Sequence, residues 1–197
     1  MERNEVLETM VTKRILNKLA KEAGLKTKPY ITYTDKDTPY IMAAVGNVTR
    51  DLFTVIGSST DGEIMVNVKA LEETQKHYTM MCGSKQAAYD ITLIALRHEI
   101  RHLWQYENNF YDGSSAYDFF IYGEKPEEKD ANEWVRRCSK RPGIKAMAEY
   151  MTFVEKCKAL YTCKEMVNKE LTNKMLNMTK QYNKIFYAAY AALNVLA

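Results

Sequence analysis

A chain of 197 residues, 46% of them hydrophobic, is long enough for one well-packed domain. Its net charge of +3 does not require nucleic acid or an anionic membrane as a partner, and no apolar run approaches the roughly 20 residues of a membrane-spanning helix. The charged N-terminal residues indicate no signal peptide, and the four cysteines lack CxxC spacing. These features predict a cytoplasmic protein with reduced thiols.

The N-terminal third is predicted to form one helix followed by a small sheet. Apolar residues recur at helical spacing from Val6 to Leu19, and Gly24 provides a C-terminal stop. After Pro29 the pattern changes to short β-rich runs separated by turn residues. The predicted strands cover residues 30–34, 39–45, 52–57 and 63–68, with a hairpin turn at 58–62. The sheet is therefore expected to be mostly antiparallel.

From about Lys85 onward the pattern is helical, with one long interruption. A helix is predicted over residues 89–105, a second opens at Pro126, and two more run from about Ile144 to the C-terminus. Residues 106–126 have no clean period, and such irregular segments often carry function. We expect a first domain over residues 1–140 and a helical C-terminal extension over residues 141–197.

The last helix carries a heptad pattern, which suits packing along another helix. Its members alternate in steps of four and three: Leu171, Met175, Met178, Tyr182, Ile185, Ala189, Ala192 and Leu196. We expect the helix that begins near Ile144 to be the partner, and the alternative is a homodimer through the same helix.

The sequence HEIRH at residues 98–102 puts two of the three histidines of the chain one helical turn apart. With about 100° per residue and Ile94 set at 0°, His98 falls at about 40°, His102 at about 80° and Glu99 at about 140°. The main apolar residues of this helix occupy the opposite side, so the two imidazoles share a face of their own.

This spacing is the HExxH signature of zinc peptidases. Two imidazoles at i and i+4 can both reach one Zn²⁺ at roughly 2.0–2.1 Å. Glu99 lies round the helix from them, where it is badly placed as a ligand but well placed to take a proton from a water on the metal. Zinc lowers the pKa of that water towards about 7. The alternative is a pair of surface histidines on an ordinary amphipathic helix.

A catalytic zinc needs a third protein ligand, and Glu128 is the best candidate. The helix predicted after Pro126 places Glu128 and Asn132 one turn apart on the same side. Glu128 would complete a His₂Glu set, while Asn132 would hydrogen-bond a ligating imidazole. Glu127 and Asp130 are rival ligands if the register differs. Without a metal, these residues form an acidic first turn that suits the helix dipole.

Other reactive residues receive simpler interpretations. His77 lies in polar ETQKHY and is expected to be solvated or to cap a helix. Cys82 is expected to be an inert small residue and not a zinc ligand. Four tyrosines of the irregular segment could face a developing oxyanion, although most tyrosines serve packing. They are Tyr106, Tyr111, Tyr117 and Tyr122.

Residues 62–134 resemble zincin-type metallopeptidases of the ImmA/IrrE sort and related phage and mobile-element proteins. The resemblance is carried by the strand EIMVNVKAL, the helix RHEIRHLWQ and the later helix EKDAN. It implies an α+β zincin-like fold, in which a small, mostly antiparallel sheet packs on the HExxH helix. The chain departs from many relatives in lacking a helix-turn-helix, and its C-terminal helices have no counterpart among them.

The resemblance also implies roles for individual residues. His98, His102 and Glu128 would be the metal ligands, and Glu99 would be the general base. The strand at residues 63–68 would be the sheet edge along which an extended peptide substrate lies.

The expected function is a zinc-dependent endopeptidase that cleaves a protein substrate. Hydrolysis of a non-peptide bond is a second possibility, because the same chemistry attacks other electrophiles. Charge suggests an alternative of another class. Residues 136–184 contain twelve Lys and Arg but four Glu, so these helices could bind an acidic protein or nucleic acid around a vestigial zinc site. A solvated helical face explains the same lysines, and nucleic acid is not the expected partner.

Overall fold

The computed structural model describes residues 4–34, 53–54, 62–110, 126–162 and 169–195. Within these residues the chain forms an α+β structure in which helix predominates, so the broad fold class is confirmed. The elements are α1 (Glu5–Thr12), α2 (Ile15–Ala23), β1 (Tyr30–Thr34), β2 (Phe53–Thr54), β3 (Glu63–Asn67), α3 (Val68–Cys82), α4 (Gln86–Glu107), α5 (Pro126–Cys138), α6 (Pro142–Thr162) and α7 (Lys169–Val195).

The chain divides into two compact units, residues 1–112 and residues 113–197. Unit 1 contains the sheet and the first four helices, and unit 2 contains the last three helices. The expected domains, residues 1–140 and 141–197, stay a prediction. No helix in the described parts of the chain is both long and apolar enough to cross a membrane.

The sheet of unit 1 is mixed, with β3 between β1 and β2. β1 runs parallel to β3 over five residue pairs, and β2 runs antiparallel to β3 over two. The prediction of a mostly antiparallel sheet is therefore not supported in the described residues. Because β3 has a neighbour on each side, the strand at residues 63–68 is also not the free edge that the resemblance implied. The predicted strand at 39–45 and the turn residues 58–61 lie outside the described residues.

The N-terminal apolar pattern forms two helices, where the sequence predicted one. Arg14 separates them with a φ of 58°, a left-handed conformation that reorients the chain between α1 and α2. Gly24 ends α2 with a φ of 72°, which confirms the predicted stop. Both helices pack on α4. The apolar spacing identified the buried residues Leu7, Met10, Leu16 and Leu19, but it also included the exposed Val11 and did not predict the break.

Helix α3 (Val68–Cys82) was not predicted, and the predicted strand at residues 63–68 ends at its first residue. Asn67 ends β3 and caps α3, since its side-chain oxygen accepts a hydrogen bond from the Ala70 N–H at 3.0 Å. Ile64 and Val66 point from β3 into the core, and Leu71 and Tyr78 do so from α3. The continuous segment from β3 to α3 therefore contributes buried residues to the core both from the strand and from the helix.

Helix α4 is the central element of unit 1, and it extends beyond the predicted residues 89–105 at both ends. It packs against α1, α2, α3 and β2. Ile91, Leu96, Ile100 and Leu103 form its buried apolar side. Because neighbours cover it on several sides, even its polar residue Asp90 is fully buried.

A buried polar network holds α1 and α3 against α4. The Gln75 side-chain amide donates to the Asn4 side-chain oxygen at 3.0 Å and to the Thr92 hydroxyl at 2.8 Å. Asn4 returns a hydrogen bond to Gln75 at 2.8 Å and caps α1 by accepting from the Leu7 N–H. Buried polar groups are tolerated when they are satisfied in this way, and the network fixes how the three helices meet.

Glu107, the last residue of α4, forms hydrogen bonds with the backbone of the segment that follows α2. Its carboxylate accepts the backbone N–H groups of Lys26 at 2.9 Å and Thr27 at 2.8 Å. Burial alone would raise the pKa of Glu107, but the hydrogen bonds from Thr27 and Lys26 and the positive charge of Lys26 outweigh it and lower the pKa. The charged carboxylate is therefore the form that stabilises the fold.

We expect Glu107→Gln to lower the free energy of unfolding by about 1 kcal/mol at neutral pH, because the amide holds the two N–H groups less strongly. The folded pKa lies below the unfolded value, so this contribution is complete above about pH 4.3 and is lost as pH falls through the folded pKa. Urea unfolding from pH 7 to pH 3 measures it. Glu133→Gln, at an exposed position of α5, is the control. An equal difference at pH 7 and pH 3 would contradict the role of the charge.

Unit 2 is built from α5, α6 and α7, with α6 packed against both of the others. Its core is strongly aromatic. Tyr150 of α6 stacks on Phe186 of α7 with ring centroids 4.0 Å apart, and its hydroxyl donates to the Asn183 side-chain oxygen at 2.9 Å. Tyr187 and Tyr190 are buried beside them. The expected partner of the last helix, the helix near Ile144, is therefore confirmed.

The residues through which α7 packs coincide only in part with the predicted heptad seam. Tyr182 of the seam contacts α6, with its ring centroid 4.2 Å from that of Phe153. Of the seam residues with described side chains, Met178 is 64% exposed and Ile185 is 66% exposed. Phe186, Tyr187 and Tyr190 lie at neighbouring positions on the buried side instead. Aromatic side chains bury more apolar surface than the alanines of the seam, which explains why α7 turns that side towards α6.

Candidate metal site

Two imidazoles converge on one side of α4. His98 and His102 are one turn apart, and their Nε2 atoms lie 2.9 Å from each other. The ring centroids are 4.5 Å apart and the ring planes are nearly perpendicular, at 83°. His102 is buried and His98 is half-buried. The i, i+4 spacing therefore aims two nitrogen atoms at one point, as the helical geometry predicts.

Glu99 follows His98 on the same helix and is buried. A carboxylate at such a position is desolvated. On the helical projection Glu99 lies about 100° round the helix from His98, so it points away from the face that the imidazoles share. Glu99 does not belong to the group of side chains with metal-binding geometry among the described residues. The role of Glu99 beside a ligand set stays a prediction.

The third candidate ligand, Glu128, lies in the first turn of α5. Pro126 opens this helix, where its missing N–H and fixed φ are tolerated, and acidic side chains in the first turn suit the helix dipole. Glu128 is buried. Ligand atoms of His98, His102 and Glu128 all lie within 4.8 Å of one another, so this group could hold a metal ion.

The rival ligands and the predicted supporting residue occupy neighbouring positions of α5. Glu127 is buried and Asp130 is half-buried, but neither belongs to the three-residue group. Asn132 is half-buried one turn after Glu128. Its hydrogen bond to a ligating imidazole stays a prediction, as does the assignment of the three residues as metal ligands.

The donor set fits a divalent transition metal. Two imidazole nitrogens and one carboxylate oxygen are the three protein ligands of a frequent catalytic zinc site. A tetrahedral zinc at about 2.0–2.1 Å from two nitrogens holds them about 3.3 Å apart, slightly more than the observed 2.9 Å. Small side-chain rotations provide this difference. Imidazole ligands also suit other transition metals, so the donor set alone does not identify zinc.

Sequence reasoning missed one residue of this site, Gln105. It is 0% exposed, and its side-chain oxygen lies 2.8 Å from His102 Nδ1. The signal was available in the sequence. Gln105 is three residues after His102, so on the same helical projection it falls at about 20°, next to the imidazoles.

His77 and Cys82 lie outside this group. His77 of α3 is half-buried against Tyr78, and burial lowers the pKa of its imidazole, so it is less solvated than expected. Burial and the neighbouring charge of Asp90 raise the pKa of the Cys82 thiol to about 12. A thiol that stays protonated at neutral pH is a poor metal ligand, in agreement with the inert role expected for Cys82.

Of the four tyrosines singled out in the irregular segment, Tyr106 belongs to the end of α4 and is exposed. The other three, Tyr111, Tyr117 and Tyr122, lie outside the described residues. An oxyanion-stabilising tyrosine therefore stays a prediction.

Comparison with known proteins returns no relatives for this chain. No family model matches it, and no curated protein and no solved structure match it either. The proposed function therefore rests on the geometry of the group formed by His98, His102 and Glu128 and on the resemblance of the surrounding motifs.

Proposed function

We propose that this chain is a zinc-dependent metalloendopeptidase of the zincin type, which hydrolyses a peptide bond in a protein substrate. The observation that supports it most is the convergence of His98 and His102 on α4, with the carboxylate of Glu128 within 4.8 Å. The HExxH spacing adds a glutamate, Glu99, at the position that zinc peptidases use for proton transfer.

Each residue of the site has a role in this proposal. His98, His102 and Glu128 would hold the metal. Bound zinc supplies a Lewis acid that polarises a carbonyl and acidifies a water molecule. Glu99 takes a proton from the water whose oxygen attacks the peptide carbonyl carbon. Glu99 then gives this proton to the amide nitrogen as the C–N bond breaks, so that a carboxylic acid and an amine are released.

The burial of Glu99 supports a role in proton transfer. A buried carboxylate is removed from bulk water, which strengthens its interaction with a nearby proton donor. A proton acceptor must lie near the reacting water for hydrolysis, and Glu99 would be held next to the ligand His98 by their adjacent positions on one helix. Asn132 remains the proposed hydrogen-bond partner of a ligating imidazole.

Incubation of the purified protein with casein and with a mixed-sequence peptide library tests the proposal. We expect peptide cleavage that a zinc chelator abolishes and that added Zn²⁺ restores. A protein that holds zinc but cleaves no peptide would refute the peptidase and point to another hydrolysis. Salt-sensitive binding of DNA or an acidic protein, unaffected by chelation and without cleavage, would favour the binding-module alternative.

The proposed partner is a protein or peptide substrate, and the proposed location is the cytoplasm. The resemblance to phage and mobile-element peptidases suggests that the chain belongs to a phage or mobile element. A homodimer through α7 is a further proposal, supported by the exposure of Met178 and Ile185 along the heptad seam. Light scattering over a concentration series with Ile185→Glu tests it. Lys184→Glu, at the exposed adjacent position, is the control. A monomeric mass at all concentrations would remove the dimer.

A further inference from the structure

Gln105 makes a contact that determines which nitrogen of His102 is available. Its side-chain oxygen lies 2.8 Å from His102 Nδ1. A carbonyl oxygen can only accept a hydrogen bond, so Nδ1 must carry the proton and donate it. In the neutral ring the lone pair is then on Nε2, the atom that faces His98 Nε2 at 2.9 Å. The two sides of one imidazole are thus assigned opposite roles.

The surroundings of Gln105 hold this arrangement rigidly. Gln105 is 0% exposed and His102 is 8% exposed, so water cannot compete for either end of the hydrogen bond. Both residues belong to α4, whose neighbours Ile100 and Leu103 are packed in the core. The distance between donor and acceptor is therefore set by a regular helix and not by a mobile loop.

We propose that Gln105 is a positioning residue, which fixes the tautomer and the ring orientation of His102 so that Nε2 binds the metal. This inference rests on the metal site of the proposed function but not on the reaction. Groups that hydrogen-bond the far nitrogen of a ligating histidine commonly contribute 10–100-fold to metal affinity. Gln105 takes this role from the helix of the histidines themselves, whereas the predicted Asn132 lies on α5.

Three variants separate positioning from folding. Gln105→Met keeps the length and loses the strong acceptor, whereas Gln105→Glu keeps an oxygen within reach of Nδ1. Gln75→Met is the matched control, because Gln75 is also buried in unit 1 but bonds Asn4 and Thr92 and no histidine. Zinc affinity is measured by competition with a chelating dye, and thermal unfolding is measured on the metal-free proteins.

We expect Gln105→Met to weaken zinc binding by about 10–100-fold and Gln105→Glu to stay within a few-fold of the unmodified protein. Gln75→Met should lower the unfolding temperature and leave zinc affinity nearly unchanged. Zinc affinity in Gln105→Met equal to that of the unmodified protein would overturn the inference alone. Absence of zinc binding in the unmodified protein would instead overturn the metal site and the proposed function.

A measurement on the unmodified protein tests the inference even if a variant fails to fold. In the metal-free protein, ¹H–¹⁵N correlation spectra of the imidazole rings report which nitrogen of His102 carries the proton. We expect the Nδ1–H form. A neutral His102 with its proton on Nε2 would overturn the inference, because Gln105 would then not be holding the donor side of the ring.

Discussion

Glu99→Gln is expected to leave bound zinc at one ion per chain and to lower turnover by about 10²–10⁴-fold, the usual contribution of a general base. Glutamine has nearly the same size and can occupy the same buried position on α4, but it cannot take a proton at neutral pH. The ligand atoms of His98, His102 and Glu128 are untouched. Metal analysis and chelator-sensitive cleavage of the same peptide, measured on one preparation, separate the two effects.

Two outcomes would contradict this role for Glu99. Retained proteolysis in Glu99→Gln would exclude Glu99 as the base. Loss of zinc together with activity would make Glu99 a ligand or a structural residue, since a base removes no donor atom from the metal. Glu72→Gln, a half-buried position on α3, controls for the loss of one negative charge in unit 1 and should change neither zinc content nor turnover.

The helix that carries the histidines was predictable because its signals are local. Apolar residues at a period of 3.6 define α4, and the i, i+4 spacing alone places both imidazoles on one face. The same geometry holds whatever packs around the helix. The spacing brings the side chains of His98 and His102 together, and their torsion angles then place the two Nε2 atoms 2.9 Å apart.

The sheet was less predictable because strand direction depends on distant parts of the chain. Alternating residues identify β1 and β3 as strands. Neither strand's own sequence indicates which strand is its neighbour in the sheet or whether the two run parallel or antiparallel. Their pairing is parallel, which requires a long connection, and β3 becomes the central strand. The expected substrate edge at residues 63–68 failed for this reason.

Boundaries within continuous patterns were a second source of error. In NVKAL the β-branched Val68 continues the strand pattern, whereas the Asn67 side chain accepts a hydrogen bond from the Ala70 N–H and starts α3. At Arg14 a left-handed residue divides one apolar pattern into two helices. Gln105 was missed for another reason. Helical spacing places it beside His102, but its complete burial depends on the distant elements that pack on α4.

His98→Ala is expected to remove zinc from the protein. Four-ligand structural zinc sites bind with roughly 10–16 kcal/mol, so one protein ligand contributes on the order of 3–4 kcal/mol, or about 10²–10³-fold in affinity. Zinc should raise the unfolding temperature of the unmodified protein and have no such effect on His98→Ala at the same concentration, because only the folded site binds it. Metal analysis after gel filtration and thermal unfolding with and without Zn²⁺ measure both effects.

The same zinc measurements on matched variants identify the third metal ligand. His77→Ala removes an imidazole from α3, outside the donor group, and should keep its zinc. Glu128→Gln should weaken binding, while Glu127→Gln and Asp130→Asn should not, although all three acidic residues lie in the first turns of α5. Zinc that is retained in Glu128→Gln but lost in Glu127→Gln would assign the third ligand to Glu127 instead of Glu128. An equal zinc content in His98→Ala and the unmodified protein would show that the two converging imidazoles hold no metal. The proposed zinc-dependent hydrolysis at this site would then be refuted.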